Sequence, residues 1–472
     1  MVKNMKKIKT LLLVIPVLIL VVSCGEDFTI LAPQSERNVE NFYRTDTDFI
    51  TAINGAYAGL ASNNAYGRNY MLLHEMRSDN TSNGGGATGL AESLERITLF
   101  EELPSAGELE NTWATAYSTI ARTNTILDRI GNAQLDNPAI GERIRGEALF
   151  IRSLIYYNLA VTFGNIPLQL EEVTSPNVTI TQVSAGEVYS QIASDLSTAE
   201  GLLPISYTGN NIGRATRGAA ATLLGLVELT AGNNGQAAAA LQRVVDSNQY
   251  DLVPNYADIW GVSNENNIES VFEIQYKSGG SGTGSGFTEY YSPDLSNSGG
   301  VGGGNVPQDV NEETLAIFED EDQRGMGGSF GLTEAENEYL SKYDANQPNP
   351  FDSDANFIVF RYADVLLMLA EAVGESAQGW GLINQVRQRA GLTVAAETLP
   401  GTYSEILLLE RRREFVGENK RWPDLKRFGV AQSVMANFLA DVGKNESDIR
   451  LLYPIPQREL DSAPGQLTQN PL

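Results

Sequence analysis

Side chains that catalyse reactions or bind transition metals are scarce in this sequence. Among 472 residues there is one histidine, His74, and one cysteine, Cys24. A serine–histidine–aspartate triad would need His74 as its base, but no nucleophile motif such as G-x-S-x-G accompanies it. Zinc sites that need several histidine or cysteine ligands are excluded by this count. His74 lies in MLLHEM, a helical context that favours a structural imidazole, so we predict no catalytic residue, metal or cofactor.

Two strings of oxygen-bearing side chains have spacing similar to calcium-binding loops. DSDAN, residues 352–356, alternates such side chains, but Phe357 occupies the position where an EF-hand loop needs glycine. DNTSNGG begins at Asp79 and has the glycine, but Leu90 occupies the position of the bidentate glutamate. We favour a polar turn for both strings. The 59 acidic residues also show no motif that singles out a carboxylate pair for glycoside hydrolysis.

Cys24 follows a short apolar run and precedes two acidic residues. Four lysines in the first nine residues lead into apolar residues 11–22, which is the layout of a secretory signal and too short for a typical membrane span. Residues 21–23 (VVS) resemble a bacterial lipobox, in which the cysteine thiol is acylated and becomes the first mature residue. Residues 25–27 (GED) resemble the surface-export signal of Bacteroidetes lipoproteins. We predict a signal peptide over residues 1–23 and a lipid anchor at Cys24; the alternative is an ordinary signal peptide with an incidental cysteine.

The composition is that of an acidic globular protein. Residues 1–23 contain four lysines and no acidic residue, so the chain from Cys24 onward has 29 basic and 59 acidic residues and a formal charge of −30. Such a surface repels phosphate backbones and argues against nucleic acid as a partner. The chain is long enough to bury a large core, and 42% hydrophobic residues is typical of a globular protein.

Most of the chain has the periodicity of α-helices. Apolar and aromatic residues recur at helical spacing in residues 113–127, 150–161 and 220–227. Three capping boxes predict helix starts, and they pair Ser105 with Glu108, Ser184 with Glu187, and Thr402 with Glu405.

Two segments have the pattern of tetratricopeptide helix pairs. Residues 217–246 predict two helices rich in small residues, joined by a turn at residues 232–235. RYADVLLMLAEA followed by LINQVRQRAG predicts a second pair, bent around Gly379 and Gly381. Each pair must stack on its neighbours to bury its apolar face.

Residues 264–350 differ in character from the helical remainder. A strand-like run, IESVFEIQY, leads into residues 278–304, which contain ten glycines, a content that no helix tolerates. A disordered linker is one interpretation. Phe287, Tyr290 and Tyr291 lie in the middle of this segment, and because flexible linkers seldom carry aromatic residues, we favour an ordered surface loop.

Seven basic side chains are concentrated in residues 410–429, ERRREFVGENKRWPDLKRFG. A site for an anionic ligand is one interpretation. We favour the other, in which these side chains pair with acidic residues of the same segment and of neighbouring helices while Trp422 and Phe428 pack inside.

This arginine-rich string, followed by LLYPIPQRELDSAPGQLTQNP, resembles the C-terminal region of SusD/RagB family outer-membrane lipoproteins. GEALFIRSLIYYNLAVTFGNIPL, RATRGAAATLLGLVEL and FRYADVLLMLAEA match helical signatures of that family in the same order. With the lipobox, the resemblance covers nearly the whole chain after residue 23. Gly25 departs from the pattern because serine is common after the cysteine, and VGENK replaces a more apolar sequence.

The resemblance implies a mostly α-helical fold: a tetratricopeptide-like scaffold with long loops and a few short strands that form the ligand face. It implies a single domain over residues 24–472, with residues 264–350 as a loop-rich insertion on that face. Members of the family cap a SusC-like TonB-dependent barrel transporter and deliver nutrients to it, usually oligosaccharides. The expected partners are therefore this transporter, a glycan, and the outer membrane through the lipid anchor.

Family signatures do not include ligand residues, so candidates come from the chemistry of sugars, which have apolar C–H faces and polar edges. The glycine-rich segment offers Phe287, Tyr290 and Tyr291, with small neighbours that leave the rings exposed. SDNTSN offers short polar side chains on a turn, those of Asp79, Asn80 and Asn83. In the alternative interpretation the tyrosines fold inward and brace the loop. A surface glycosidase or peptidase, and a purely structural surface protein, are the alternative functions.

Overall fold

The computed structural model describes residues 42–82, 90–175, 179–291, 309–310, 312–332, 338–344 and 351–471. These residues form fifteen α-helices and eight short strands. In chain order they are α1 (Asp46–Ala61), α2 (Asn69–His74), β1 (Thr81–Ser82), α3 (Leu90–Thr98), α4 (Gly107–Ile130), α5 (Pro138–Phe163), β2 (Ile166–Pro167), β3 (Gln182–Val183), α6 (Ala185–Leu202), α7 (Arg217–Thr230), α8 (Asn234–Asp246), β4 (Ser270–Ile274), β5 (Asp309–Val310), α9 (Glu312–Leu315), β6 (Phe330–Leu332), β7 (Glu338–Leu340), β8 (Phe357–Arg361), α10 (Tyr362–Val373), α11 (Ala377–Arg389), α12 (Tyr403–Phe415), α13 (Arg421–Arg427), α14 (Ala431–Phe438) and α15 (Gln457–Ser462). The predicted mostly α-helical class is confirmed.

The longer helices stack side by side in a row. α5 packs between α4 and α6, α6 packs on α7, and α7 packs on α8. α8 then contacts α10, which packs on α11. The small residues of the first predicted pair permit close approach, since a Cβ atom on Gly225 of α7 would lie 2.5 Å from Cγ of Leu241 in α8. That pair is confirmed as α7 and α8, and the row has the tetratricopeptide-like form expected from it.

The second predicted pair is confirmed as α10 and α11, but its predicted bend is wrong. The chain turns at Gly374, whose φ of 65° is a left-handed conformation that favours glycine. Gly379 and Gly381 lie inside α11 instead. The Ser376 hydroxyl caps α11 by accepting the backbone N–H of Gly379 at 3.0 Å, so the helix has already begun at these glycines.

Two of the three predicted capping boxes are confirmed. Ser184 and Thr402 cap α6 and α12, each with the reciprocal contact from the glutamate three residues later. The box predicted at Ser105 is wrong. The backbone N–H of Ala106 donates to the Leu103 carbonyl in a turn, and α4 begins after Ala106 without a side-chain cap.

The strands form four antiparallel pairs, and two of these pairs organise the loop side of the molecule. β4 pairs with β8, which confirms the strand-like run and joins the start of the glycine-rich segment to the strand before α10. β1 pairs with β5, with Thr81 opposite Val310. Because of this second pair, the chain that follows residues 292–308 is held against β1, directly after the turn that contains Asp79 and Asn80.

The arginine-rich string forms part of a buried network of ion pairs. Arg361 of β8 contacts Glu269 at 2.7 Å and Glu418 at 2.9 Å, and all three residues are at most 1% exposed. Arg411 similarly contacts Asp364 at 3.1 Å and Asp424 at 2.7 Å. A buried charge without a partner is strongly destabilising, so these pairs explain how the interior accommodates so many charged groups. The prediction that the arginines of this string pair with acidic residues is confirmed.

His74 is a buried residue at the end of α2, 5% exposed. Its Nε2 atom lies 3.4 Å from the Thr162 hydroxyl. Burial, reinforced by the nearby charges of Lys426 and Arg77, lowers the pKa of His74 to about 3, so the imidazole is neutral at physiological pH. These contacts agree with the predicted structural role. No helix within the described ranges has the length and hydrophobicity to cross a membrane.

Candidate functional site

Asp79 and Asn80 lie in the turn before β1, and both side chains are buried. The Asp79 carboxylate accepts Nε of Arg421 at 2.7 Å and forms an ion pair with Arg412 at 3.1 Å. Asn80 donates to Glu75 at 2.9 Å and accepts Nε of Arg412 at 3.0 Å. Burial favours the neutral carboxyl, but Arg421 and then Arg412 outweigh it and lower the pKa of Asp79. Both side chains hold this turn against the helical part of the protein.

Two of the three candidate aromatic rings are also buried in the protein core. Phe287 is fully buried and packs edge-to-face on Tyr343, with ring centroids 5.0 Å apart. Tyr291 is 2% exposed, and its hydroxyl donates to the Gly417 carbonyl at 3.1 Å. The prediction that small neighbours leave these rings exposed is wrong, because glycine neighbours let the chain fold close to the core and turn the rings inward. The ordered-loop interpretation is confirmed for residues 278–291.

Tyr290 occupies an intermediate position at the edge of the core, and it is 9% exposed. The Arg68 guanidinium lies 5.4 Å from its ring centroid on one side. On another side the ring of Phe351 lies 6.2 Å away, and Phe351 is 45% exposed. Tyr290 therefore supports an exposed aromatic ring rather than being one. Two other candidates, Cys24 and Asn83, lie outside the described residues, and the ligand-binding role of all the candidates stays a prediction.

The DSDAN string holds the glycine-rich loop in place. Its alternating Asp352, Asp354 and Asn356 side chains each accept backbone N–H groups of the loop or of the strand leading to it. The contacts are Asp352 with Gly279 (3.0 Å) and Gly280 (2.8 Å), Asp354 with Ser278 (2.8 Å), and Asn356 with Tyr276 (2.8 Å). The string has a structural role, but the predicted turn is wrong, because Ser353 pairs with Ser285 in an antiparallel β-bridge. No cluster of His, Cys, Asp or Glu among the described residues is arranged to hold a metal ion.

This anchored loop forms one wall of an open cleft of about 940 Å³. The other walls are the C-terminal half of α1, residues 210–214, and β4 with the residue that follows it. We call it the α1 cleft. Its lining includes three aromatic rings, four amides and one guanidinium, those of Tyr57, Phe272, Phe351, Asn54, Asn63, Asn210, Gln275 and Arg214. A volume of this size is that of a small-molecule site, and rings beside amides suit a ligand with both apolar faces and polar edges.

The charged side chains of the α1 cleft have partners within the protein. Arg214 donates to Glu147 at 3.0 Å and to Asn54 at 2.6 Å, and its guanidinium lies 5.6 Å from the ring centroid of Tyr57. The Asp352 carboxylate accepts the glycine N–H groups described above, and Glu273 accepts the backbone N–H of Asn266 at 2.9 Å and the side-chain amide of Asn356 at 3.0 Å. The cleft therefore offers a lining without a concentrated charge of either sign.

None of the α1-cleft side chains was among the predicted site residues. Four chain segments far apart in sequence form the cleft, so no local motif marks it. Phe351 carries the one detectable signal, since an aromatic residue in the polar string NQPNPFDSD has no apolar neighbour with which to form a core face.

Comparisons with known proteins agree with this fold. A model of the SusD family matches residues 336–472, and a second SusD-like model, described as starch-binding and associating with the outer membrane, matches residues 33–229. The predicted resemblance to the SusD/RagB family is confirmed. SusD-like protein P2 of Formosa agariphila is 26% identical over 522 residues, covering 99% of this chain and 100% of that protein.

Two solved structures of SusD-type proteins are similar along almost their whole length. A laminarin-binding SusD-like protein is 28% identical with a TM-score of 0.77, covering 91% of this chain and 100% of that chain. Surface glycan-binding protein A from Bacteroides thetaiotaomicron, in complex with laminarihexaose, is 25% identical with a TM-score of 0.78. That similarity covers 90% of this chain and 99% of the other.

Proposed function

We propose that this protein is a cell-surface lipoprotein that binds a glycan and delivers it to a SusC-like TonB-dependent transporter. The observation that carries the proposal is the full-length similarity to SusD-type proteins whose names state glycan or laminarin binding. The absence of a recognisable nucleophile-and-base motif in the sequence supports binding without catalysis. Laminarin, a β-linked glucan, is therefore the first ligand to test, and starch is the second because of the description of the N-terminal family model.

The anchor and location form the second part of the proposal. Acylation at Cys24 would attach the chain to the outer membrane, because each CH₂ group of an acyl chain that is buried in the bilayer contributes about 0.8 kcal/mol to the free energy of membrane binding. The acidic residues after Cys24 support export to the outer surface, where polymeric glycans are accessible.

The partner is the third part. A lid on the extracellular mouth of a barrel needs an interface well above the area of an incidental contact, about 1,200 Å² or more in total. Detergent extraction from a native membrane, followed by affinity capture of this chain, should therefore recover a large barrel protein in stable proportion. Consistent recovery of a lone chain under mild extraction would contradict the partnership.

The predicted ligand residues keep a place in this proposal with revised roles. We expect Asp79, Asn80, Phe287 and Tyr291 to act indirectly, by holding the backbone of the ligand face, since their side chains are buried. We expect Tyr290 to act through Phe351, whose exposed ring it supports, and Asn83 remains the candidate for direct contact.

The direct test is a binding screen with the mature chain from residue 24, carrying Cys24→Ser so that it is soluble. Affinity gel electrophoresis would use the neutral polymers laminarin, starch and xylan and the acidic polymers alginate and polygalacturonate. We expect at least one polymer to slow the migration of the protein in the gel. We also expect the length of that polymer to stay unchanged after prolonged incubation with the protein. Progressive shortening of a polymer would favour a glycosidase, and no retardation by any member of a wider glycan array would contradict glycan binding.

A further inference from the structure

We propose that the α1 cleft is a binding site for an uncharged oligosaccharide. The inference rests on the proposed glycan binding and assigns it to side chains of α1, β4 and the loops beside them. These side chains are separate from the six candidates predicted from sequence. Three properties of the cleft carry the inference: its exposed apolar surfaces, its exposed amides and the pairing of its charges.

The first property is an aromatic ring held out of the core at a conformational cost. Phe351 has a φ of 56°, a left-handed conformation that is uncommon for a bulky residue. Its backbone N–H donates to the Glu289 carboxylate at 2.9 Å, and its ring rests against Tyr290. Backbone strain of this kind persists where surrounding contacts enforce it, and it clusters at functional sites. Here these contacts present a 45% exposed ring to the cleft.

Two further apolar surfaces line the same cleft. Ile212 is 51% exposed in the loop between α6 and α7, and Tyr57 of α1 is partly exposed. The Tyr57 hydroxyl accepts the backbone N–H of Ala215 at 2.9 Å, which fixes the orientation of its ring. A rigid ring with few degrees of freedom supplies contact area at a low entropic cost. Sugar C–H faces need such surfaces.

The second property is the supply of amides beside these surfaces. Asn54, Asn63, Asn210 and Gln275 line the cleft and are exposed. A side-chain amide both donates and accepts hydrogen bonds, so it pairs with a sugar hydroxyl in either direction. Gln275 is held in place by paired contacts with Asn266, at 3.0 Å in each direction. The cleft thus combines apolar surfaces with neutral hydrogen-bonding groups.

The third property sets the charge of the ligand. The Arg214 guanidinium forms an ion pair with Glu147 at 3.0 Å, and the acidic residues Glu273 and Asp352 also line the cleft, so the lining does not present an unbalanced positive charge. The formal charge of the chain is strongly negative, and this field repels acidic polysaccharides. An uncharged oligosaccharide fits both facts, and a cleft of about 940 Å³ has room for several sugar rings.

Two variants of the soluble mature chain test the assignment. Ala58 is exposed on α1 and lines the cleft, so Ala58→Arg fills the cleft in a helical position that tolerates arginine. Phe351→Ala removes the exposed ring. The matched controls are Ala239→Arg, the same change on the exposed face of α8, and Val442→Ala, which shortens another exposed apolar side chain.

Affinity for the neutral glycan that the wild type binds is measured by isothermal titration, with melting temperature as the folding control. We expect Phe351→Ala to weaken binding about tenfold or more, as for loss of a central aromatic anchor, and Ala58→Arg to abolish it. Both controls should bind as the wild type does. If the wild type binds a glycan and both cleft variants bind it equally well, the cleft assignment is overturned while the proposed function stands. A wild type that prefers acidic polymers also overturns the assignment, and a wild type that binds no glycan overturns both.

Discussion

The carboxylate of Asp352 accepts the backbone N–H of Gly280 at 2.8 Å, and the same oxygen atom accepts that of Gly279 at 3.0 Å. Gly284 lies close on the same side, since a Cβ atom there would be 2.1 Å from Oδ1 of Asp352. Gly284 is therefore required for the close approach to the aspartate, while Gly279 and Gly280 have φ values of 132° and 73°, which favour glycine. This relationship converts a segment with the composition of a linker into an ordered wall of the α1 cleft.

Replacing Asp352 should release this wall. Asp352→Ala removes a charged acceptor, and each hydrogen bond to a charged group contributes about 1.5–3 kcal/mol. We expect faster hydrogen exchange in residues 277–286 and weaker glycan binding, while exchange in the stacked helices α5 to α8 stays unchanged. Asp352→Asn is the control, because it keeps an acceptor oxygen without the charge and should give an intermediate rate. Equal exchange in all three proteins would contradict the anchoring role.

Tyr291 should behave as a core residue. Tyr291→Ala removes a ring that is 2% exposed, and we expect the free energy of unfolding to fall by about 3–5 kcal/mol, as for other large aromatic truncations. Tyr291→Phe should cost only about 1 kcal/mol. The Gly417 carbonyl keeps a second donor, the hydroxyl of Tyr343 at 3.1 Å. Urea unfolding measures both variants, and a stable Tyr291→Ala protein with weakened glycan binding would restore the predicted ligand role.

Glu265 should make stability depend on pH. Burial, with help from the charges of Glu273 and Asp354, raises the pKa of this half-buried carboxyl from 4.5 to about 7, although the Asn356 N–H bond opposes the shift. Because the pKa is higher in the folded state, the contribution of the Glu265 carboxyl to the free energy of unfolding is fully present below pH 4.5 and is lost as pH rises to about 7. Relative to the wild type, Glu265→Gln should therefore gain stability between pH 5 and pH 8. Asp258→Asn, a change at an exposed carboxyl, is the control. If the difference in free energy of unfolding between Glu265→Gln and the wild type does not change with pH, the raised pKa of Glu265 is contradicted.

Cys24→Ser should release the full-length protein from the membrane. None of the described helices is suited to cross a bilayer, and the anchor is predicted to depend on this thiol. We expect the wild type to sediment with outer membranes until detergent is added and the variant to remain in soluble fractions. A Ser23→Ala change keeps a small residue before the cysteine and serves as the control. Sedimentation of Cys24→Ser with the membrane would contradict the lipid anchor.

The fold was largely predictable because its signals are local. Helical spacing and the capping boxes at Ser184 and Thr402 involve residues three or four positions apart, and the structure confirms them. The turn at Gly374 was missed because any of three nearby glycines was compatible with the pattern. The arginine pairing was predictable in kind, since a strongly acidic chain must satisfy buried guanidinium groups.

The candidate site was much less predictable because its geometry depends on distant contacts. Phe351 is exposed through a hydrogen bond to Glu289, 62 residues earlier in the chain, and through a ring contact with Tyr290. Tyr57 lies on an amphipathic helix, where sequence alone does not distinguish a ring beside a cleft from one in the core. The glycine-rich segment was correctly predicted to be an ordered loop over residues 278–291, but its rings point inward.

The most direct test of the central claim is a titration of the mature chain with a neutral oligosaccharide from the binding screen, followed by chromatography of the same mixture. A protein that binds the oligosaccharide in the α1 cleft without hydrolysing it should give a saturable heat of binding that Ala58→Arg abolishes, with the oligosaccharide recovered at its original length. Steady accumulation of shortened products would contradict it and identify a hydrolase, and the absence of a saturable signal with every neutral glycan would contradict glycan binding itself.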